Sequence, residues 1–545
     1  MSANVMMNAY PESLGGRLSG LVGFLRNCDG IFDSVYLMPT LYDSDMDGGF
    51  SVIEYALNQE VAADDDLRAL REMGVALTLD MVLNHLSALS PQFRDVLKHG
   101  DDSPCRDFFI DWNAFWRGTG EMTARGYIQP APEYLRGMNM RKPSLPLLMV
   151  PMPDGRDVPF WNTFYQEVVY PRLTPEALLD IAPVQYAQAA RLCRQVNAAL
   201  DGGLDPDGVE DPLDGYRDAV VRWLKRRRVC RGQMDLNIQS PAVWNYYGGV
   251  MDTLRDWGTN LIRLDAFTRL HKQPGRANFM NEPETWDILA RLKGMAEERG
   301  MRVLPEMHVT YQSGVSEKLE RLGCPCYDYY LPGLILDAVE TRDPKYLIRW
   351  LSECAASGLR RVSMLGCHDG IPIRDLKGLL PQERIDGLCA ALTARGGVPK
   401  MIHGERPEVY QMACAYYSAL DADDDKMALA RAIQVFAPGI CQVWYMDLLC
   451  RENDLAALKG GADPREINRS VLSEEDVRAA AQKPGFVRQM ELLRLRKAHP
   501  AFAEGASCAV ESEGERGLVI RRAGKRGALS LRVDFGEMKY AVTEG

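Results

Sequence analysis

Eight short runs of strand type recur along this chain, separated by longer amphipathic stretches, and that alternation restricts the fold more than any other feature. The runs are Val5–Ala9, Ser34–Pro39, Ala76–Val82, Asn260–Leu264, Arg302–Pro305, Cys326–Leu331, Val362–Leu365 and Ile440–Tyr445. Helical periodicity fills the intervals, for example Asp64–Met73 and Glu284–Arg299. Strands that alternate with helices build parallel sheets, and eight such units predict an α/β protein of the (β/α)8 TIM barrel class. Ionisable residues follow several of these runs directly, where such a barrel keeps its active site.

Two connections are too long for plain loops. About 160 residues separate the third run from the fourth, which requires a subdomain of its own. The expected division is a barrel of 1–85 and 241–500, an enlarged insertion after strand 3 at 86–240, and a small insertion after strand 7 at 370–425. Within the large insertion, residues 165–230 form an extra helical segment. Helix-like Pro175–Ala199 and Tyr216–Arg228 are joined there by an acidic, turn-rich hinge, Asp201–Gly215. After a last helix at Val487–Lys497, the tail Cys508–Val542 alternates as a small antiparallel sheet does, giving a C-terminal β domain at 501–545.

Charge and composition narrow the function. A net charge of −11 argues against nucleic acid or an anionic membrane as partner. No run of 18 apolar residues exists, and the N-terminus lacks a basic region followed by an apolar core, so a cytoplasmic protein is expected. Thirteen scattered cysteines fit reduced thiols. Cys324-Pro-Cys326 has no second pair or histidine at zinc-ligand spacing.

Four segments carry the chemistry: Asp80-Met-Val-Leu-Asn84-His85, Arg263-Leu-Asp265, Glu306-Met-His308 and His368-Asp369. Alternation along a strand puts Arg263 and Asp265 on one face. Taken singly, a strand-end aspartate is a helix cap or ion-pair partner, and a strand-end histidine a structural residue. Together, each after its own strand, they deliver the paired carboxylates that glycosidic-bond chemistry requires.

These segments resemble the signature regions of glycoside hydrolase family 13, the α-amylase family, and more closely its sucrose phosphorylase-like branch. Further similar stretches are Asp45-Met-Asp-Gly-Gly-Phe50, Ser90-Pro-Gln-Phe-Arg-Asp-Val-Leu97, Val409-Tyr-Gln411, Tyr416-Tyr-Ser-Ala-Leu420 and Arg465-Glu-Ile-Asn-Arg469. The resemblance spans nearly the whole chain except about 165–230. It implies a retaining α-glucoside phosphorylase acting on sucrose or a related short α-glucoside, with inorganic phosphate as co-substrate, no other cofactor, and a monomer or homodimer. It implies Asp265 as nucleophile, Glu306 as acid and base, and Asp369 as transition-state stabiliser. His85, His368, Phe164, Tyr410 and Gln411 would contact substrate, and Asp47 paired with Arg469 would close the glucose pocket. Arg263 would keep Asp265 ionised. Glu306, with no charged neighbour in sequence, would rise in pKa and donate a proton.

Two departures bear on the acceptor. Relatives carry an Arg-Pro-Arg-Pro run where this chain reads Arg141-Lys142-Pro-Ser-Leu-Pro146, so a lysine replaces one arginine fork in the phosphate-binding set of Arg141, Lys142 and Tyr410. Trp161-Asn-Thr-Phe164 is also separated from Gln233-Met-Asp-Leu-Asn237 by nearly 70 residues that relatives lack. Lys225-Arg-Arg-Arg228, in that stretch, reads either as an attractor of an anionic acceptor or as a solvated helix face. Arg269, His271 and Lys272 lie toward the acceptor side. Asn84 and Asp80 raise calcium, but the chain has no Asp-rich calcium loop and no metal is expected. The same residues would also serve a hydrolase or transglucosidase, and the leaving group stays open.

Overall fold

The computed structural model describes residues 5–209, 215–357, 359–402, 407–459 and 461–545. Two compact units partition the chain: Met1–Asn84 with Asn245–Lys272 and Asn278–Gly545, and His85–Trp244 with Gln273–Ala277.

The first unit holds the barrel strands. They are Val5–Ala9, Ser34–Leu37, Ala76–Val82, Thr259–Asp265, Arg302–Pro305, Cys326–Asp328, Arg361–Ser363 and Ile440–Trp444. All neighbours in this sheet pair in parallel, in the order fifth, fourth, third, second, first, eighth, seventh, sixth. The first strand pairs with the second through Met6↔Ser34 and with the eighth through Val5↔Cys441, so the sheet curls toward closure as a (β/α)8 barrel. The strands are buried apolar runs because both faces are covered. One register slip, between Thr259 and Leu261, turns Asn260 outward, where its Oδ1 accepts from the Leu77 amide at 2.9 Å.

The same unit carries the excursion after the seventh strand. Strands Ile371–Pro372, Val398–Ile402 and Glu408–Ala413 pair antiparallel there, with helix Gln382–Ala394 between the first two. The last helix runs Pro484–Ala498, opened three residues before the expected start by a proline at its first turn. The tail is a four-stranded antiparallel meander from Ser507 to Glu544. No described helix is long and apolar enough to cross a membrane, and all thirteen cysteines are free.

Among the described residues the second unit holds three small sheets and an aromatic cluster of Trp112, Trp116 and Trp161, each at most 1% exposed. The extra segment folds as three helices: Pro175–Ile181, Tyr186–Asp201 and Arg217–Arg227. Thr174 caps the first, its hydroxyl accepting from the Ala177 amide, with Pro175 next in line. A break at Ala182–Gln185 divides what the periodicity predicts as one helix. Leu178, Leu192, Val196, Val220 and Leu224 bury themselves in a core belonging to these helices. Part of the acidic hinge, 210–214, lies outside the described residues. Lys225 pairs with Asp207, Arg228 with Asp157 at 2.7 Å, and Arg227 lies over Trp223. Most of the basic run is thus spent inside its own unit.

Candidate active site

Strand register assembles the centre of the site. Arg263 sits directly across from Asp80 on the third strand and Leu304 on the fifth. Leu264 pairs with Pro305, and the Glu306 amide donates to the Leu264 carbonyl at 3.2 Å, which brings Glu306 alongside Asp265. One guanidinium therefore meets three carboxylates. Nη1 of Arg263 lies 2.6 Å from Asp80 and 3.0 Å from Asp265, and Nη2 lies 2.8 Å from Glu306. Asp80 also accepts from the Tyr36 hydroxyl at 2.7 Å. The chain after Asp265 enters the left-handed region at Ala266 (φ 50°), and its amide donates to Glu306 Oε2 at 3.1 Å. A non-glycine residue held there is a local cost that the carboxylate contact helps to offset.

The charge balance differs from the one expected. Glu306 has two cationic neighbours from other parts of the chain: Arg263, and His308, whose Nε2 is 3.5 Å from Oε1. Burial opposes its charge, but Arg263 and His308 overcome that and hold its pKa below the usual carboxylate range. Asp265 moves the other way. Burial and the negative charge of Glu306 push it well above its ordinary value, against the pull of Arg263. Both shifts therefore run opposite to the expectation that Arg263 lowers Asp265 and that Glu306 rises. Arg263 belongs to both carboxyls, and the pair sits on a seesaw: a proton on Glu306 removes the charge that raises Asp265.

A second arginine organises the opposite carboxylate. Arg465 contacts Asp369 at 2.9 Å through Nη1, Asp47 through Nη2 and Asp463 at 3.1 Å through Nε. The partner of Asp47 is thus Arg465, not Arg469. Arg469 turns inward, donating to the His368 carbonyl at 2.9 Å and contacting Glu466 at 3.2 Å. Both arginines come from the short 3₁₀ turn Pro464–Asn468 and its end; Arg469 approaches Asp369 only at 3.8 Å, while Arg465 reaches Asp47 as well. The Asp47 turn needs its glycines. Gly48 and Gly49 hold φ of 58° and 93°, and a Cβ on Gly48 would come within 2.6 Å of Arg469 Nη1.

Asp369 also accepts from Gln411 at 3.3 Å. Burial opposes its charge, but His368, Arg465 and Arg469 together hold its pKa well below the usual range. The His368 ring stacks on Phe50 at 5.1 Å, and burial lowers its pKa to about 3 against the pull of Asp369. Tyr410 is buried on the strand that carries Gln411. Glu306, His308 and Asp369 bring ligand-type atoms within 4.8 Å of one another. Both of those carboxylates also meet a guanidinium, Glu306 that of Arg263 and Asp369 that of Arg465. Nearby, Lys272 donates its ammonium to Asn84 Oδ1 at 2.9 Å, so a side-chain cation uses that acceptor.

The second unit gathers three more of the predicted residues. His85 and Phe164 lie 5.1 Å apart between ring centres, and the Arg141 guanidinium sits over Phe164 at 5.6 Å. Lys142 is turned to its own unit, donating to Asn162 and, at 3.1 Å, to Gln166. Burial lowers its pKa to about 8. An amine so engaged is less available to phosphate than the sequence reading expects.

No protein-family model matches the chain. A sucrose 6(F)-phosphate phosphorylase from Ilumatobacter coccineus is 41% identical to it over 99% of this chain and 95% of that protein. The chain belongs to glycoside hydrolase family 13, in its sucrose phosphorylase-like branch. This family 13 protein is a glycoside phosphorylase of the hexosyl-transferring type. It is also 27% identical to the sucrose phosphorylase of Streptococcus mutans over 99% of this chain and 97% of that one. Among solved structures, a sucrose 6F-phosphate phosphorylase from Thermoanaerobacter thermosaccharolyticum superposes with a TM-score of 0.81 at 27% identity, covering 100% of this chain and 96% of that one.

Reading the sequence of this family 13 chain left out Arg465 as the partner of Asp47, Asp80 as a ligand of Arg263, and the neighbours of His308. The first had a signal, a second arginine in the same motif. The others depend on which strands become neighbours.

Proposed function

We propose that this phosphorylase is a retaining enzyme that transfers glucose from a short α-glucoside to inorganic phosphate, giving α-glucose 1-phosphate. The observation that carries the reading is the bridging of Asp265 and Glu306 by the single guanidinium of Arg263. Two carboxyls sharing one fork belong to the close-set class, roughly 5 Å apart, in which one attacks the sugar directly. The wide-set class leaves room for a water between them.

In this scheme Asp265 attacks C1 and forms a β-glucosyl ester while Glu306 protonates the departing oxygen. Phosphate then enters, loses a proton to Glu306 and displaces the ester. Asp369, His368 and Gln411 hold the sugar hydroxyls, and the Asp47–Arg465 pair closes the non-reducing end, which suits a single glucose ring. His85 and Phe164 serve sugar binding, and Arg141 and Tyr410 serve phosphate. Lys142 is a weaker candidate, since its amine is already engaged. The scheme uses no metal and no organic cofactor.

Sucrose 6F-phosphate is the first leaving-group partner to test, because the relative at 41% identity and the superposed structure both carry that name. Sucrose, glucosylglycerol and glucosylglycerate complete the panel. Each would be incubated with and without phosphate and glucose 1-phosphate measured. Phosphate-dependent glucose 1-phosphate from one of them is expected. Equal glucose release with and without phosphate, and no glucose 1-phosphate, would favour the hydrolase reading.

A further inference from the structure

Glu306 must be protonated for the first half of the proposed reaction, yet two cations hold it ionised in the free site. The group that supplies its proton is therefore part of the mechanism. His308 is two residues away in sequence and reaches both Glu306 and a second, hidden acid. Its Nε2 is 3.5 Å from Glu306 Oε1, and its Nδ1 is 3.3 Å from Asp375 Oδ2. Its ring lies flat on Tyr329, with centroids 3.9 Å apart and planes 24° apart, which fixes the direction of both nitrogens. Asp375, in the 3₁₀ turn Arg374–Leu376, is 3% exposed. His308 is the only side chain among the described residues seen to contact its carboxylate, and the other oxygen, Oδ1, has no hydrogen-bond partner. A buried carboxylate with a single imidazole partner orients that imidazole and stabilises its charged form.

We propose that Asp375, His308 and Glu306 form a proton relay, with His308 as the store from which Glu306 draws and to which it returns. The relay rests on the reading of Glu306 as acid and base. In the first half-reaction one proton passes from His308 Nε2 to Glu306 Oε1 and on to the leaving oxygen. The C1–O bond breaks as the C1–Asp265 ester forms. In the second half, phosphate gives its proton to Glu306 as its oxygen bonds C1 and the ester breaks, and that proton returns to Nε2. Asp375 remains a carboxylate throughout and accepts from Nδ1–H. Both contacts are long for hydrogen bonds, as catalytic contacts in unliganded sites often are before substrate tightens them. Burial opposes the charge of His308, but Asp375 and then Glu306 raise its pKa to about 10, so the imidazole carries a proton in the free site. Arg263 faces Glu306 from the fourth strand, and Asp369 lies beside the pair.

Asp375 and His308 are positioning residues, so the test needs a readout that loss of packing would not mimic. Leaving groups differ in their need for an acid, and fluoride needs almost none. Asp375→Asn and His308→Gln would each be compared with the unmutated enzyme on two donors. One is the α-glucoside that the enzyme phosphorolyses best, the other α-glucosyl fluoride, followed by the rate of glucosyl-enzyme formation. The relay predicts a fall of about tenfold to a hundredfold on the glucoside, within the range of general acid catalysis, and a fluoride rate within about threefold of normal. An equal fall on both donors, or no fall on either, in a variant with an unchanged melting temperature overturns it. If Asp375→Asn does not fold, His308→Gln decides alone. Glu306→Gln is the control: loss of the fluoride reaction there would overturn the acid/base reading itself.

Discussion

The barrel centre and the helical segment at 165–230 are both well packed, but different forces position their residues. In the centre, sheet register sets Arg263 beside Asp80 and brings Glu306 alongside Asp265, so a one-residue slip would turn the whole set away. In the segment, apolar side chains such as Leu178, Leu192 and Leu224 fill a core of their own, and its charges pair locally. A region whose chemistry is written into hydrogen-bonded register tolerates little variation. A region held by generic burial accepts insertion and drift, and can vary without disturbing the reaction.

Four substitutions would break or sharpen that contrast. The largest effect is expected from Asp265→Asn, which removes the proposed nucleophile but keeps the shape. Turnover should fall by at least about a thousandfold with the melting temperature little changed, and a variant retaining a tenth of normal activity would break the reading of the centre. Next is Leu192→Ala in the helical segment, a fully buried side chain. It should cost about 2–5 kcal/mol locally. Limited proteolysis should then cut within 165–230 while glucosyl-enzyme formation from α-glucosyl fluoride stays near normal. A parallel loss of both would mean that the segment and the centre are not separable.

The third concerns pH. Asp447, fully buried, accepts from the Gly366 amide at 2.7 Å, and burial raises its pKa to about 6. The folded form binds that proton more tightly than the unfolded chain. The associated stability is therefore complete below about pH 4 and lost as pH rises through about 6, some 3 kcal/mol in all. Asp447→Asn should flatten the urea midpoint across that window, and an unchanged pH slope would refute the assignment. The smallest effect is expected from Lys142→Gln. Its amine is already spent on Asn162 and Gln166, so the KM for phosphate should stay within about threefold, whereas Arg141→Gln should raise it clearly. Equal effects of the two would restore Lys142 as a phosphate ligand.

The barrel strands were legible because parallel strands buried on both faces read as uninterrupted apolar runs. The carboxylates were legible because they stand directly after those runs. Their electrostatics were not. Glu306 looks isolated in sequence, yet its controlling charges are Arg263 on the strand next to it and His308 backed by Asp375, contacts made only when the sheet and the excursion after the seventh strand are in place. The choice between Arg465 and Arg469 was likewise decided by the geometry of a short turn that no hydrophobic pattern reports. The segment at 165–230 showed its helices through periodicity but not the break at Ala182–Gln185.

The pairing of Asp47 with Arg465 ties positions 418 residues apart. A chain emerging from the ribosome makes Asp47 early and Arg465 late, and the first barrel strand likewise waits for the eighth. The Asp47–Arg465 pair therefore cannot exist in any nascent fragment that stops short of residue 465. The ion-pair cluster that joins Asp47, Asp369 and Asp463 through Arg465 is thus completed only near the end of synthesis, and contacts between such distant positions are slow to form.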